Sequence, residues 1–553
     1  MKKHRTLIIG LDGATFDLIH PWVQAGHLPT FAKLMAKGVH APLRAWPNLS
    51  SAAAWSSIVT GYNPGQHSVF NFVDALPQVG AKWHPSTAAD RKKDPFWRFL
   101  SRAGKYVGVM NVPITYPADP INGFMLSGMD TPDLHSPGFA HPPELLDELQ
   151  NQGIDYVIDV PRLLFLEGGD PHQVPRPIQR MMDGHSRAIL HLMKTRPWDM
   201  LMAVLVVTDR VQHFCWPAES VSFDKPDWTP IFSIYQQIDS FLNKALELID
   251  ENTTVLVISD HGFGPFRLAK RCLNQLFAHL GLVGYRSGPG RLTNKLLERV
   301  LVYGRKIIPF SLQKSLANTF SGLHHRAIHE HDLSSIDWSL TKVFYSPHMG
   351  TLTINLKGRE PEGIVLAKDY DPLRKQIQDI LLNIKDPVSK RRIIKAVHLR
   401  EDIFHGPYLE KAPDLVIEWN SEGVPKSISY SVGKEPVIIQ PPKRVDAGEH
   451  WTGDHRPYGI FIAYGPDIKR GSTVSNATLY DIAPTILYLQ DHPIPKDVDG
   501  KVLTDIFTED YLNRHPVQHS EPPDIQFKTS AGELGAEETR KIEERLRGLG
   551  YIE

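Results

Sequence analysis

Three aspartates close runs of aliphatic and β-branched residues. Asp12 ends "LIIGLD", Asp209 ends "LVVTD" and Asp260 ends "VLVISD". In open α/β sheets, binding sites form at the carboxyl ends of strands, so three acids at three strand ends converge on one edge. The alternative for each is local, because an aspartate after a strand also makes Asx turns and helix N-caps. Histidines shift the weight for the set as a whole. His213 follows Asp209 by four residues, one helical turn, so both can face one ion. His261 adjoins Asp260, where "DHGFGP" turns the chain sharply, and His455 in "GDHRP" precedes the apolar run "GIFIAYG". Carboxylates combined with imidazoles suit Zn²⁺ or Mn²⁺ better than Ca²⁺ or Mg²⁺. Six such ligands exceed one tetrahedral zinc site and match two ions roughly 4 Å apart, the arrangement used for in-line displacement at phosphorus.

Two metals of that kind need a nucleophile. "SSAAAWSSIVTG", residues 50–61, reads as a helix with a serine at its N-terminus and Gly61 just past its end. A serine there caps the helix, or it serves as a nucleophile activated beside a metal and facing a phosphate drawn to the helix N-terminus. Beside the Asp/His set, the nucleophile is the stronger reading.

The elements that must position these residues alternate. "TLIIGLD" (6–12), "YVGVMNV" (106–112), "MLMAVLVVTD" (200–209), "TTVLVISD" (253–260), "TLTINL" (351–356), "DLVIEW" (414–419) and "GIFIAYG" (459–465) read as buried strands. Helical patterns such as 178–194 and 233–249 lie between them. The fold class is α/β, with a mainly parallel central sheet and helices on both faces. Residues 1–280 are expected to form the first part of the core, with cap loops at 64–100 and 131–175. Residues 287–335 read as a basic helical insertion, 340–510 as the remainder of the core, and 511–553 as a tail closing on a short helix.

The bulk composition excludes several classes. Lys and Arg total 61 against 62 Asp and Glu, a formal net charge of −1, so no global pull toward nucleic acid or anionic lipid exists. Two cysteines, Cys215 and Cys272, in 553 residues are no disulfide framework and point to a reducing compartment. The apolar run Leu7–Leu11 is too short for a signal peptide, and no run approaches the roughly 20 residues of a membrane span. The chain is read as soluble and cytoplasmic. "LHHRAIHEHD" (323–332) is read as a solvated helix end, although His325 and His329 have metal-ligand spacing. "SKRRIIKAVHLR" (389–400) is read as an exposed basic helix or edge strand. His67 is read as fixing a turn.

The pattern resembles the alkaline phosphatase superfamily, and within it the type I phosphodiesterase/nucleotide pyrophosphatase family. The matching pieces are "GLDG" (10–13), "SSAAAWSSIVTGYNPGQHSVF" (50–70), "VVTDRVQHFCW" (206–216), "SDHGFGP" (259–265) and "GDHRPYGIFIAYGP" (453–466), in family order. The resemblance implies that Asp12, Asp260 and His261 hold one metal together with the oxygen of Ser51, and that Asp209, His213 and His455 hold the other. It favours Ser51 over Ser50 as the nucleophile and His455 over His450 as the last ligand. It implies double displacement at phosphorus through a covalent serine intermediate, with a small-molecule phosphate ester or diester as substrate. Two departures stand out. The family's Thr-Phe-Pro-Asn stretch is Ser51, Ala52, Ala53, Ala54 here, and its phosphate-binding asparagine aligns with Phe72, leaving Asn71 one place off as the candidate substrate contact. The sulfatase signature is absent, since Ala53 and Trp55 stand where Pro and Arg would. The alternatives within reach are a phosphotransferase or phosphomutase of the same superfamily and, from another class, a metal-dependent protein that binds phosphorylated ligands without turnover.

Overall fold

The fold was analysed in a computed structural model, which describes residues 4–45, 47, 50–73, 84–160, 173–217, 229–286, 336–346, 350–420, 423–432, 435–441, 451–522 and 535–549. The expected insertion at 287–335, its histidine cluster, and His450 lie outside the described residues.

A nine-stranded sheet runs through the protein in the order Ser472–Thr473, Val39–Arg44, Tyr458–Tyr464, Thr253–Ile258, Arg5–Leu11, Met200–Leu205, Val107–Val112, Gly123–Ser127, Ala140–His141. The five strands from Thr253–Ile258 to Gly123–Ser127 are parallel, while Tyr458–Tyr464 and Ala140–His141 join antiparallel. Every residue of Met200–Leu205 and of Thr253–Ile258 is buried, which is why these strands read as unbroken apolar runs. Helix Arg176–Thr195 buries Ile178, Met181, Met182, His185, Ala188, Ile189 and Leu192, a stripe at helical spacing that faces the sheet.

Two strands assigned from sequence to the central sheet belong elsewhere. Thr351–Ile354 and Leu415–Trp419 form a separate antiparallel sheet in the order Ile394–Leu399, Leu415–Trp419, Thr351–Ile354, Val343–Ser346. Its core is its own: Leu352, Ile354, Leu415 and Ile417 pack with Ile377 and Leu381 of helix Ala367–Leu382. Apolar run length is the same for a strand of either sheet, so the sequence signal could not separate them. The basic stretch 389–400 supplies the edge strand Ile394–Leu399 of this second sheet.

The helix Ser51–Thr60 is buried along its whole length and ends at Gly61, whose φ of 82° stops it in the left-handed conformation. It packs against strand Arg5–Leu11 at Gly10. A Cβ at Gly10 would stand 2.5 Å from Cη2 of Trp55 and 2.8 Å from Val204 Cγ2. Trp55 and Val204 are themselves buried. The tail helix Ala536–Leu549 is also docked, with Ile542 and Leu546 buried among Ala52, Val69, Phe72, Ile114, Tyr116 and Met129. Among the described residues no helix is long and apolar enough to cross a membrane.

The close approach at Gly10 sets an expected outcome. Gly10→Ala forces the Trp55 ring or the strand to move and costs about 1–3 kcal/mol, the usual range for overpacking. A chemical-denaturation midpoint lowered at unchanged slope is the expected readout; an unshifted midpoint would show that the strand–helix contact is looser than described.

Candidate metal centre

The carboxyl ends of the central strands deliver the side chains. Asp12 directly follows strand Arg5–Leu11, and Asp260 lies just past strand Thr253–Ile258. Asp209 differs from the sequence reading: its strand stops at Leu205, and Asp209 sits in the first turn of helix Val207–Cys215, with His213 one turn on. His455 lies on a short strand, Gly453–Arg456, paired antiparallel with Gly262–Pro265, so His455 is carried beside the turn that bears His261.

All six Asp/His side chains and Ser51 come together. Ser51 Oγ stands 3.2 Å from His261 Nε2 and 3.5 Å from Asp12 Oδ1. His261 Nε2 is 3.6 Å from Asp12 Oδ1 and 3.3 Å from Asp260 Oδ2. In the adjoining group, Asp209 Oδ1 is 3.2 Å from Nε2 of both His213 and His455, and those two nitrogens are 3.0 Å apart. The groups are contiguous, with ligand atoms of Asp209, His261 and His455 all within 4.8 Å of one another. Ligand atoms about 2.0–2.1 Å from a zinc ion at tetrahedral angles stand roughly 3.3 Å apart. The spacing within each group matches that edge.

Each carboxylate has one oxygen tied and the other presented to the cluster. Asp12 Oδ2 accepts from Trp55 Nε1 at 3.0 Å, Asp260 Oδ1 from the Gly13 amide at 3.1 Å, and Asp209 Oδ2 from the Arg210 guanidinium. The presented oxygens Asp209 Oδ1 and Asp260 Oδ2 are buried and, among the described residues, meet no hydrogen-bond donor in good geometry. The imidazoles are set the same way. Nδ1 of His213 faces Gly453 O at 3.2 Å and Nδ1 of His261 faces Gly262 O at 3.0 Å, so each Nδ1 carries the proton and each Nε2 turns its lone pair into the cluster. Trp451 lies over the His213 ring at 4.0 Å between centroids. Oxygens without donors and nitrogens with inward lone pairs form an arrangement that divalent cations fit.

The electrostatics agree. Burial, with Asp260 and Asp209 nearby, holds the Asp12 carboxyl well above the usual carboxylate range. Burial pushes Asp260 up to about 7. Asp209 goes the other way: burial opposes its charge, but His213 and Arg210 outweigh burial and hold it well below the ordinary value. Burial pushes His213 and His261 down, toward the neutral form that can donate a lone pair.

Of the two serines, it is Ser51 whose hydroxyl faces the Asp/His cluster. Ser50 occupies the N-cap position, yet its side chain makes no capping bond and donates instead to Asn71 Oδ1 at 2.9 Å. Asn71 is therefore held at the mouth of the helix. His67 fixes its turn, accepting from the Val69 amide at Nδ1 while Nε2 meets Ser57 Oγ at 3.0 Å. Sequence reading missed Trp55, Arg210 and Trp451. Trp55 carried a signal, since it stands four residues after Ser51 and shares its helix face.

The family model for type I phosphodiesterase/nucleotide pyrophosphatase matches residues 6–425, and the chain belongs to that family. Human arylsulfatase K is 40% identical over 63 residues, 11% of this chain and 12% of that protein, so the chain spans about an eighth of the length of that curated relative. Among solved structures, murine ectonucleotide pyrophosphatase/phosphodiesterase 5, an inactive variant with AMP, is 13% identical, with 92% of this chain and all of that one covered at a TM-score of 0.48. Phosphonoacetate hydrolase from Sinorhizobium meliloti, with phosphonoacetate, is 12% identical, with 87% and 94% covered at 0.48. The alkaline phosphatase PafA is 12% identical, with 92% and 100% covered at 0.48.

Ion uptake should displace protons from the acids that burial keeps neutral. At pH 6 Asp260, with its pKa near 7, holds a proton that a cation must expel, and Asp12 is shifted in the same direction. Burial lowers His213 and His261, which reduces their share of the release. Proton release on Zn²⁺ addition to the stripped protein therefore falls as pH rises through about 7. Calorimetry in buffers of different ionisation enthalpy measures it; release that grows from pH 6 to 8 would contradict the assignment.

Proposed function

We propose that this protein is a metal-dependent phosphoric ester hydrolase of the phosphodiesterase/pyrophosphatase type, with Ser51 as nucleophile. The observation that carries the reading is the placement of Ser51 Oγ beside His261 and Asp12, at the start of a buried helix whose N-cap side chain makes no capping bond. Asp12, Asp260, His261 and Ser51 would hold one divalent ion, and Asp209, His213 and His455 the second. The donor set favours Zn²⁺, with Mn²⁺ tolerated. Such ions supply Lewis-acid charge at phosphorus and lower the cost of ionising the serine hydroxyl.

The chain's own groups do the rest. Ser51 loses its proton, its oxygen bonds to phosphorus in line, and the bond to the leaving oxygen breaks, the released proton ending by way of solvent on that departing oxygen. Water then cleaves the phosphoseryl ester and returns a proton to Ser51. The first amide to bond within the helix is that of Ala54, to Ser50 O at 2.9 Å. The amides of Ser51, Ala52 and Ala53 thus have no carbonyl partner in their own helix and favour the non-bridging oxygens. Asn71, tethered to Ser50, is assigned a contact to the substrate phosphate. A small phosphate ester or diester in a cytoplasmic setting completes the proposal.

Two results test it. Ser51→Ala should lower turnover of bis(p-nitrophenyl) phosphate by at least about 10³-fold while elemental analysis still finds two ions per chain. A chelator should abolish wild-type activity, and Zn²⁺ should restore it. Undiminished hydrolysis by Ser51→Ala would remove the nucleophile assignment.

A further inference from the structure

The start of helix Ser51–Thr60 is held from two sides. Ala54, Trp55, Ile58 and Val59 pack into the main core with the central strands. Ala52, next to the proposed nucleophile, belongs instead to a separate small apolar cluster with Val69, Phe72, Ile114, Tyr116 and Met129. The far end of the chain completes that cluster: Ile542 and Leu546 of helix Ala536–Leu549 are 0% and 1% exposed within it. Asn71 lies between Val69 and Phe72, so the same cluster anchors the residues on either side of it. Its backbone is fixed nearby, where Ser86 Oγ donates to Asn71 O at 2.7 Å and the Ser86 amide to Phe72 O at 2.8 Å. Polar contacts fasten the tail helix at its rim. The Tyr116 hydroxyl donates to Glu538 at 2.9 Å, Lys541 Nζ meets Asp133 at 2.9 Å, and Arg545 donates to Pro132 O at 3.1 Å.

We propose that Ile542 and Leu546 are positioning residues for the phosphoryl-transfer reaction, through which the C-terminal helix clamps the amides of Ser51–Ala53 and the Asn71 side chain in the geometry the substrate phosphate requires. The inference rests on the reading of Ser51 and Asn71 above and adds what holds them in place. The main core fixes the helix from Ala54 onward, where the Ala54 amide closes the first turn on Ser50 O. The amides before it have no such bond and depend on packing around Ala52. With the tail helix gone, Ala52, Val69 and Phe72 would border water, and both phosphate contacts would loosen together. A misplacement of about 1 Å is enough to cost rate. The six Asp/His ligands stand apart, because none of them belongs to this cluster. Undocking therefore separates phosphate positioning from ion binding. Docking itself depends on the two apolar side chains. Most other side chains of the helix are charged, a helix of this length is marginal alone, and the Lys541–Asp133 pair is 38% exposed on both sides and screened by water.

The test uses the full-length, zinc-loaded protein carrying Ile542→Asp and Leu546→Asp together, read against Leu546→Met. Hydrogen exchange should quicken in residues 536–549 and 50–54 but not in strands Arg5–Leu11 and Thr253–Ile258, and elemental analysis should still find two ions. The kcat/KM for bis(p-nitrophenyl) phosphate should fall at least about tenfold, while Leu546→Met stays within about twofold of wild type. Asn71→Ala should cost less in the undocked background than in wild type, because a loosened Asn71 has less to lose. The inference is overturned if the double variant keeps full activity, or if exchange in 536–549 stays slow. It is equally overturned if the ions or the central strands are lost with the helix, which is general destabilisation, or if the Asn71→Ala loss is as large in both backgrounds. An Asn71→Ala that costs nothing in wild type removes one of the clamped contacts and overturns it too. A wild type that takes up two ions but hydrolyses no phosphodiester overturns the proposed function itself, a result distinct from all of these.

Discussion

The structure depends on keeping three carboxylates in a dry place. Asp12, Asp209 and Asp260 are at most 2% exposed and converge on a volume that also admits three imidazoles and a hydroxyl. Burying charge of one sign is costly unless opposite charge arrives. The chain's own groups answer that cost in two ways: Asp12 and Asp260 are pushed toward their protonated forms, and Asp209 leans on Arg210. Both are signs of a centre completed by positive charge from outside the chain.

The surrounding fold reads as the means of holding that arrangement open. Each acid spends one oxygen on a fixed donor, so its other oxygen cannot swing away. The peptide after Asp12 links the ligands: the Gly13 amide donates to Asp260, and its carbonyl accepts from Gln212, on the helix that carries His213. The short strand bearing His455 is pinned by Lys270, whose ammonium meets Asp454 at 2.6 Å in a buried pair. A rigid frame of this kind presents ligands in binding geometry before an ion arrives, and less binding energy is lost to ordering side chains.

Much of this was legible in the sequence. Buried parallel strands announce themselves as apolar runs, and the acids and histidines at their ends stand out by type and spacing. Asp209 and His213 show the limit of that reading. Their one-turn spacing was right, yet the strand stops four residues before Asp209 and a helix positions it. What was not legible depends on contacts between distant segments. The sheet to which Thr351–Ile354 and Leu415–Trp419 belong is decided by pairing, not by composition. Trp55 looks like core until strand Arg5–Leu11 brings Asp12 under its indole, and Arg210 looks like a surface arginine until Asp159 arrives. The docking of Ile542 and Leu546 beside Ala52 has no signature in a tail that is otherwise polar.

The most direct test of the central claim is anomalous diffraction at the zinc edge from crystals of the zinc-loaded protein. The account predicts two peaks, one enclosed by Asp12, Ser51, Asp260 and His261, the other by Asp209, His213 and His455. A single peak outside these side chains, or none within the cluster, would contradict it.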